Sequence, residues 1–217
     1  MCFSAGASFG VSAALSIIGV VAITKARTIP QKLFAGIPFI FSVQQATEGI
    51  LWLSFNNNNF QGQSVFTYVY LFFAVIFWPV WIPLTIRLLE KDETRKKILT
   101  LLVIIGAIVS AWFAGVVFIY SAQAVTTHHH IQYKLNFPPA IKDLIWIFNV
   151  LYFIATIVST FISSDKRIKW LGIVCTIAYL FSFYFYGEFV ISVWCYFAAA
   201  LSFIVLWIAS GFKKQQL

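Results

Sequence analysis

The sequence predicts an all-α polytopic membrane protein, a single transmembrane domain over 1–217, with seven helices, the N-terminus outside and the C-terminus cytoplasmic. Three observations predict it. Of 217 residues, 61% are hydrophobic and only 10% charged, against roughly 45–50% and about 25% in a soluble domain. The charges gather in clusters that separate long apolar stretches. Thirteen of the 15 Lys and Arg then fall on one side of alternating spans. The same composition excludes a disordered chain, and three Cys exclude a disulfide scaffold.

A bilayer core of about 30 Å takes about 20 predominantly apolar residues per helix. The first span covers about 8–23 and the second, after Lys32, about 33–55. The run from Asn56 to Asn59 is a polar turn. The third span covers about 65–89 and the fourth about 98–120. A longer polar segment, Gln123 to Pro139, precedes a fifth span over about 144–162. The stretch from Trp170 to Phe212 has 43 residues and no positive charge. As one helix it would measure about 65 Å, twice a membrane. It therefore divides at Gly187-Glu188 into spans over about 170–186 and 189–211.

Lys25, Arg27, Lys32, Arg87, Lys91, Arg95, Lys96, Lys97, Lys166, Arg167, Lys169, Lys213 and Lys214 then share one side, and only Lys134 and Lys142 the other. The positive-inside rule makes the first side cytoplasmic. The net charge of +8 reflects this asymmetry and not a nucleic-acid surface. No positive n-region precedes the first apolar stretch, so it reads as a retained helix.

Small residues mark helix contacts in lipid. Ser4, Ser8, Ser12 and Ser16 line one face of the first helix, and Gly6, Gly10 and Ala14 a second, which places that helix centrally in the bundle. Pro38 in the second span and Pro79 and Pro83 in the third predict kinks. Trp52, Trp170, Tyr184 and Tyr186 suit the interfacial belt.

The polar residues inside spans carry the functional reading. Gln44, Gln45, Glu48 and Trp52 share one face of the second helix. A carboxylate at mid-span costs about 2.5–3.5 kcal/mol and by default marks a function. Ser4, Ser8, Tyr68, Tyr70, Asn149, Tyr152, Ser192 and Cys195 lie in the same outer half. Together they outline an outward-facing pocket centred on Glu48. His128, His129 and His130 fall in the outer segment, which suits a hairpin or lid. Removal of Met1 would give Cys2 an amine beside its thiol, a metal-chelating pair. Cys2, His129, His130 and Glu48 therefore form the alternative metal-ligand set, for a transition metal such as Zn.

The opening Met1-Cys2-Phe3-Ser4-Ala5 with Ala7-Ser8-Phe9 resembles a family of small bacterial seven-helix membrane proteins of unknown function. The likeness extends to Gln44-Gln45 with Glu48-Gly49 and Trp52, to His129 or His130 ahead of Tyr133, and to Trp194-Cys195 with Ala198-Ala199. It spans nearly the whole chain. It implies a bacterial inner (cytoplasmic) membrane protein and brings no activity with it. Retinal is excluded as a cofactor, because 189–211 contains no Lys for a Schiff base. Zinc hydrolases of the ceramidase type are distant analogues at most, because no span contains a His.

The first functional reading is thus a sensor- or transporter-like protein that binds a small molecule or ion at Glu48. A metal-dependent intramembrane hydrolase or transferase acting on a lipid-like substrate is the second. A structural subunit, joined to a membrane-protein partner or to copies of itself, is the third. The expected partners are the bilayer and a small ligand, not nucleic acid. The residues leave open whether the chain is an enzyme.

Overall fold

The computed structural model describes residues 4–127 and 130–212. Within them the chain forms seven long helices and one hairpin. The first helix is Ala5–Lys25. A short helix, Ile29–Ala35, leads into the second, Ile37–Asn56. The third is Phe60–Leu89, the fourth Glu93–Ile119, the fifth Pro139–Ile162, the sixth Lys166–Tyr186 and the seventh Val190–Ser210. All but the second are long and apolar enough to cross a membrane. The second falls short because Gln44, Gln45 and Glu48 interrupt it. These are the dimensions and composition of a membrane protein.

Local chemistry sets the helix starts. Ser4, Thr28, Asn59, Asp92 and Asp165 each accept a hydrogen bond from a backbone N–H of the following turn. Such caps satisfy donors that a helix otherwise leaves open. Thr28 and Gln31 complete a reciprocal capping box. The Asn run is a turn in which each residue has a task. Asn57 ends the second helix, Asn58 takes the left-handed conformation at φ 51°, and Asn59 caps the third.

The prolines act differently from one another. Pro38 kinks nothing, because the chain already breaks at Gly36 and Pro38 occupies the first turn of the new helix, where no N–H is required. The third helix does deform. Residues Phe72–Phe77 are wound as a π-helix just ahead of Pro79. The freed carbonyls find side-chain donors: Tyr152 Oη donates to Ala74 O at 2.8 Å and Ser110 Oγ to Ile76 O at 2.5 Å. Gly106 of the fourth helix lies directly against the Pro79 carbonyl, so close that a methyl group there would overlap it. The fifth helix carries a second π segment, Ile154–Val158.

The first and second helices run antiparallel in extensive contact. Ser12 Oγ donates to Ser42 O at 2.8 Å, and a Cβ on Gly19 would come within 2.6 Å of the Phe39 backbone. The expected central position of the first helix is not what forms. Ser8, Leu15, Ile18, Gly19 and Ala22 are buried, while Ile17 is 67% exposed and Val20 53%. Gly6, Gly10 and Ala14 face outward. One buried face suffices for the second helix, and the remainder has the apolar character of a lipid-facing surface. Trp52 is also buried, at 8% exposed, and so is no belt residue, whereas Trp170 and Tyr184 are exposed as an anchor requires.

Lys25–Lys32, Arg87–Lys97 and Lys166–Lys169 come together at one end of the bundle. There Gln31, Glu90, Asp165, Arg167 and Phe212 surround a shared hollow. At the opposite end Ala122–Thr127 (β1) and His130–Leu135 (β2) pair antiparallel, from Ala122 opposite Leu135 to Thr127 opposite His130. Ile131 and Tyr133 point into the protein. Tyr68 Oη accepts from Ala122 N at 3.3 Å and ties the hairpin to the third helix.

Candidate functional site: a buried polar cluster in the hairpin half of the bundle

The second helix places Gln44, Gln45 and Glu48 at 0% exposure and Trp52 beside them. Each neighbouring helix contributes to this face. From the third, Trp78 Nε1 donates to Gln44 Oε1 at 2.8 Å. From the seventh, Ser192 Oγ donates to Glu48 Oε1 at 2.7 Å. One turn further along that helix, Cys195 is buried beside Tyr70, Gln44 and Glu48. The Tyr70 ring stacks on Tyr133 of the hairpin, with centroids 4.6 Å apart and planes at 2°. Second, third and seventh helices and β2 thus meet at one polar locus, and the hairpin covers it.

Some of the polar atoms in this locus have no partner. Gln45 has neither its amide oxygen nor its nitrogen hydrogen-bonded, although it is fully buried. Ser8 Oγ, Trp52 Nε1 and Trp194 Nε1 are likewise buried and unpartnered. Ser8 lies at the level of Gln45, because Ser12 meets Ser42 and Phe9 packs on Gly49. Leaving a buried polar group unsatisfied costs about 1–3 kcal/mol. Gln45 carries two such groups inside a span.

The carboxylates at the basic end behave otherwise. Glu90 is buried at the turn between the third and fourth helices. It accepts from Lys91 N at 2.9 Å, Asp92 N at 3.1 Å, Ser164 N at 2.7 Å and Ser164 Oγ at 2.7 Å. Burial pushes its carboxyl upward, but the hydrogen bonds from Ser164, Asp92 and Lys91 outweigh it and hold the group below the ordinary carboxylate range. Asp165 follows the same logic. Burial raises it, and Arg167, through hydrogen bonds and charge, brings it below its usual value. Arg95 Nη1 donates to Ile162 O at 2.6 Å and completes the junction of the two turns. These acids staple the fold. Charge runs hid Glu90 in the sequence, where nothing set it apart from its charged neighbours.

Two cavities flank the cluster. One of about 200 Å³ lies between the fourth, fifth and seventh helices beneath Leu135 of the hairpin. The other, about 70 Å³, lies toward the basic end and is walled by Phe41, Trp78, Ile82, Leu171 and Val205. Tyr152, Trp194 and Cys195 border both. The two π segments reach the same cavities, through Ala74 and Val75 in the first and Thr156 and Ile157 in the second. π segments recur where helices are shaped for function.

Of the residues the sequence singled out, Gln44, Gln45, Glu48 and Trp52 do share the buried face, and Tyr70, Ser192 and Cys195 join them. Ser8 borders it. Ser4 does not: it is exposed, and its hydroxyl caps the first helix by accepting from Ala7 N at 3.2 Å. Asn149 lines the cavity beneath Leu135, with its amide turned to Ile145 O at 2.8 Å. Trp78 went unread because an indole in an apolar run carries no signal of its own. Of the metal-ligand set, only Glu48 and His130 fall within the described residues, and no metal site forms around them there. Among the described residues no group of three or more His, Cys, Asp or Glu could hold a metal. His130 packs instead against Phe189 and Tyr186, at 4.9 and 5.6 Å between ring centroids. Cys2, His128 and His129 lie outside the described residues.

No curated protein and no solved structure matches the chain. A family model does, over residues 1–216, described as "Family of unknown function (DUF6629)". A match of that extent, over a bundle whose polar residues converge as described, means that the chain belongs to this family.

Proposed function

We propose that the protein binds a small molecule or ion in an intramembrane polar pocket centred on Glu48, and works as a sensor- or transporter-like protein of a cytoplasmic membrane. Gln44, Gln45, Ser192 and Cys195 complete the pocket, and the hairpin is its outer cover. The clustering of Lys and Arg at the far end supports an N-terminus outside and a C-terminus inside. The observation that carries the reading is Gln45. A fully buried side-chain amide with both ends unpartnered is disfavoured as structural glue and well suited to a ligand that supplies the missing partners.

Native mass spectrometry of the protein extracted from its own membrane tests this. A stoichiometric non-covalent adduct is expected for the wild type and is expected to be lost in Gln45→Leu and Glu48→Gln. Identical spectra for all three would remove the pocket from the account. Gln45→Leu also separates the ligand reading from a packing role. It deletes unsatisfied polar atoms, so thermal stability without ligand should hold or rise while the adduct disappears.

A further inference from the structure

We infer that the ligand is a single-chain lipid, an acyl or prenyl chain with a small uncharged oxygen-bearing head, lying in a slot between the fifth and seventh helices. This rests on the binding reading above. Tyr152, Trp194 and Cys195 line both cavities, which adjoin at these side chains. Together they follow the fifth helix from Ile145 to Thr160 and the seventh from Val190 to Val205. Fifteen helical residues span about 22 Å, so the slot is long while its volume is small. It suits an extended chain and not a compact solute.

The walls match this shape. Beyond the junction, toward the basic end, they are almost wholly apolar. The Thr156 and Thr160 hydroxyls there donate to their own helix, at Tyr152 O and Ile157 O, and offer a ligand no donor. On that side polar function is confined to the junction, whereas the cavity beneath the hairpin is also lined by Asn149 and Tyr179. Trp194 Nε1 is buried without a partner and borders both cavities. Beside it the Cys195 thiol leads to Gln44, Tyr70 and Glu48. An unpartnered N–H calls for an acceptor oxygen, which an ammonium lacks. A carboxylate head would face the Glu48 carboxylate at low dielectric, where like charges repel most strongly. An alcohol, aldehyde or ester satisfies both conditions. The ligand then comes from the bilayer, whose hydrocarbon is already continuous with the apolar outer surface of the helices.

Equilibrium binding of radiolabelled 1-alkanols to the full chain in nanodiscs tests the proposal, with empty nanodiscs as the partition control. Dodecan-1-ol should bind saturably at one per chain. Dodecanoate and dodecylamine should bind at least tenfold more weakly. Across the alkanol series affinity should pass through an optimum and fall once the chain outgrows the slot, whereas partitioning into lipid rises steadily with length. Trp194→Phe keeps the ring and removes the N–H, and should weaken dodecan-1-ol about tenfold. Ile82→Trp fills the inner cavity and should abolish saturable binding, with a thermal melt confirming that the variant folds. Affinity that merely follows partitioning, or equal binding of the three heads, overturns the proposal. Should alkanols fail while the native adduct still depends on Gln45, the lipid inference alone falls and the polar pocket stands.

Discussion

Two buried glutamates show how one residue type serves two ends. Glu90 has four hydrogen-bond donors on its carboxylate and closes a turn. Glu48 has a hydroxyl from a helix far along the chain and sits among unpartnered amide and indole groups. Their responses to mutation and acid should differ accordingly. Glu90→Gln should lower stability by about 1–3 kcal/mol, because backbone donors lose a charged acceptor. The folded protein holds the Glu90 carboxyl below its ordinary value, so its contribution is fully present above the unfolded pKa of about 4. It is lost as pH falls through the lower folded value. A thermal melt series into acid should show this decline, with Asp165 contributing in the same direction, and the decline should be shallower in Glu90→Gln. Glu48 was conspicuous in the sequence because a charge inside an apolar run is an anomaly. Glu90 was not, since its burial depends on Ser164, 74 positions away, which no local pattern reveals.

At the scale of elements, what the sequence made legible is what short-range chemistry decides. The Asn turn and the division near Gly187 follow from residues within a few positions of each other. The hairpin, too, falls in the polar segment that the sequence marked as a hairpin or lid. Proline was less informative, because its effect depends on where the helix begins: Pro38 starts one, whereas Pro79 follows a π segment. That segment is a tertiary outcome, sustained by Tyr152 and Ser110 from two other helices. Tyr152→Phe should therefore cost about 1–2 kcal/mol in an unfolding titration, by leaving the Ala74 carbonyl without its donor. Gly106→Ala should cost about 1–3 kcal/mol or more, because the third and fourth helices must separate around the Pro79 carbonyl. The same titration measures it, and an unchanged midpoint would mean that the two helices pack less closely at this crossing.

For the whole molecule, charge placement was the readable property and helix neighbourhood was not. Alternation alone brings the positive clusters to one end, but nothing in the first helix disclosed that Ile17 and Val20 would face outward while Gly6 and Gly10 stayed uncovered. Orientation can be measured with single cysteines in a background where all three native Cys are Ser. Asn58→Cys should react with an impermeant maleimide in intact cells, and Lys97→Cys only after the membrane is opened; the opposite pattern would invert the topology. The link between Glu48 and Ser192, 144 residues apart, also has a consequence for biosynthesis. The second helix is the least apolar span, and it emerges from the ribosome long before the hydroxyl that serves its carboxylate exists. Until then the first helix, through contacts such as Ser12 with Ser42, and the third, through Trp78 on Gln44, hold it in place. The nascent chain therefore carries its most polar segment unfinished through most of translation, and the last helix to be made is the one that completes it.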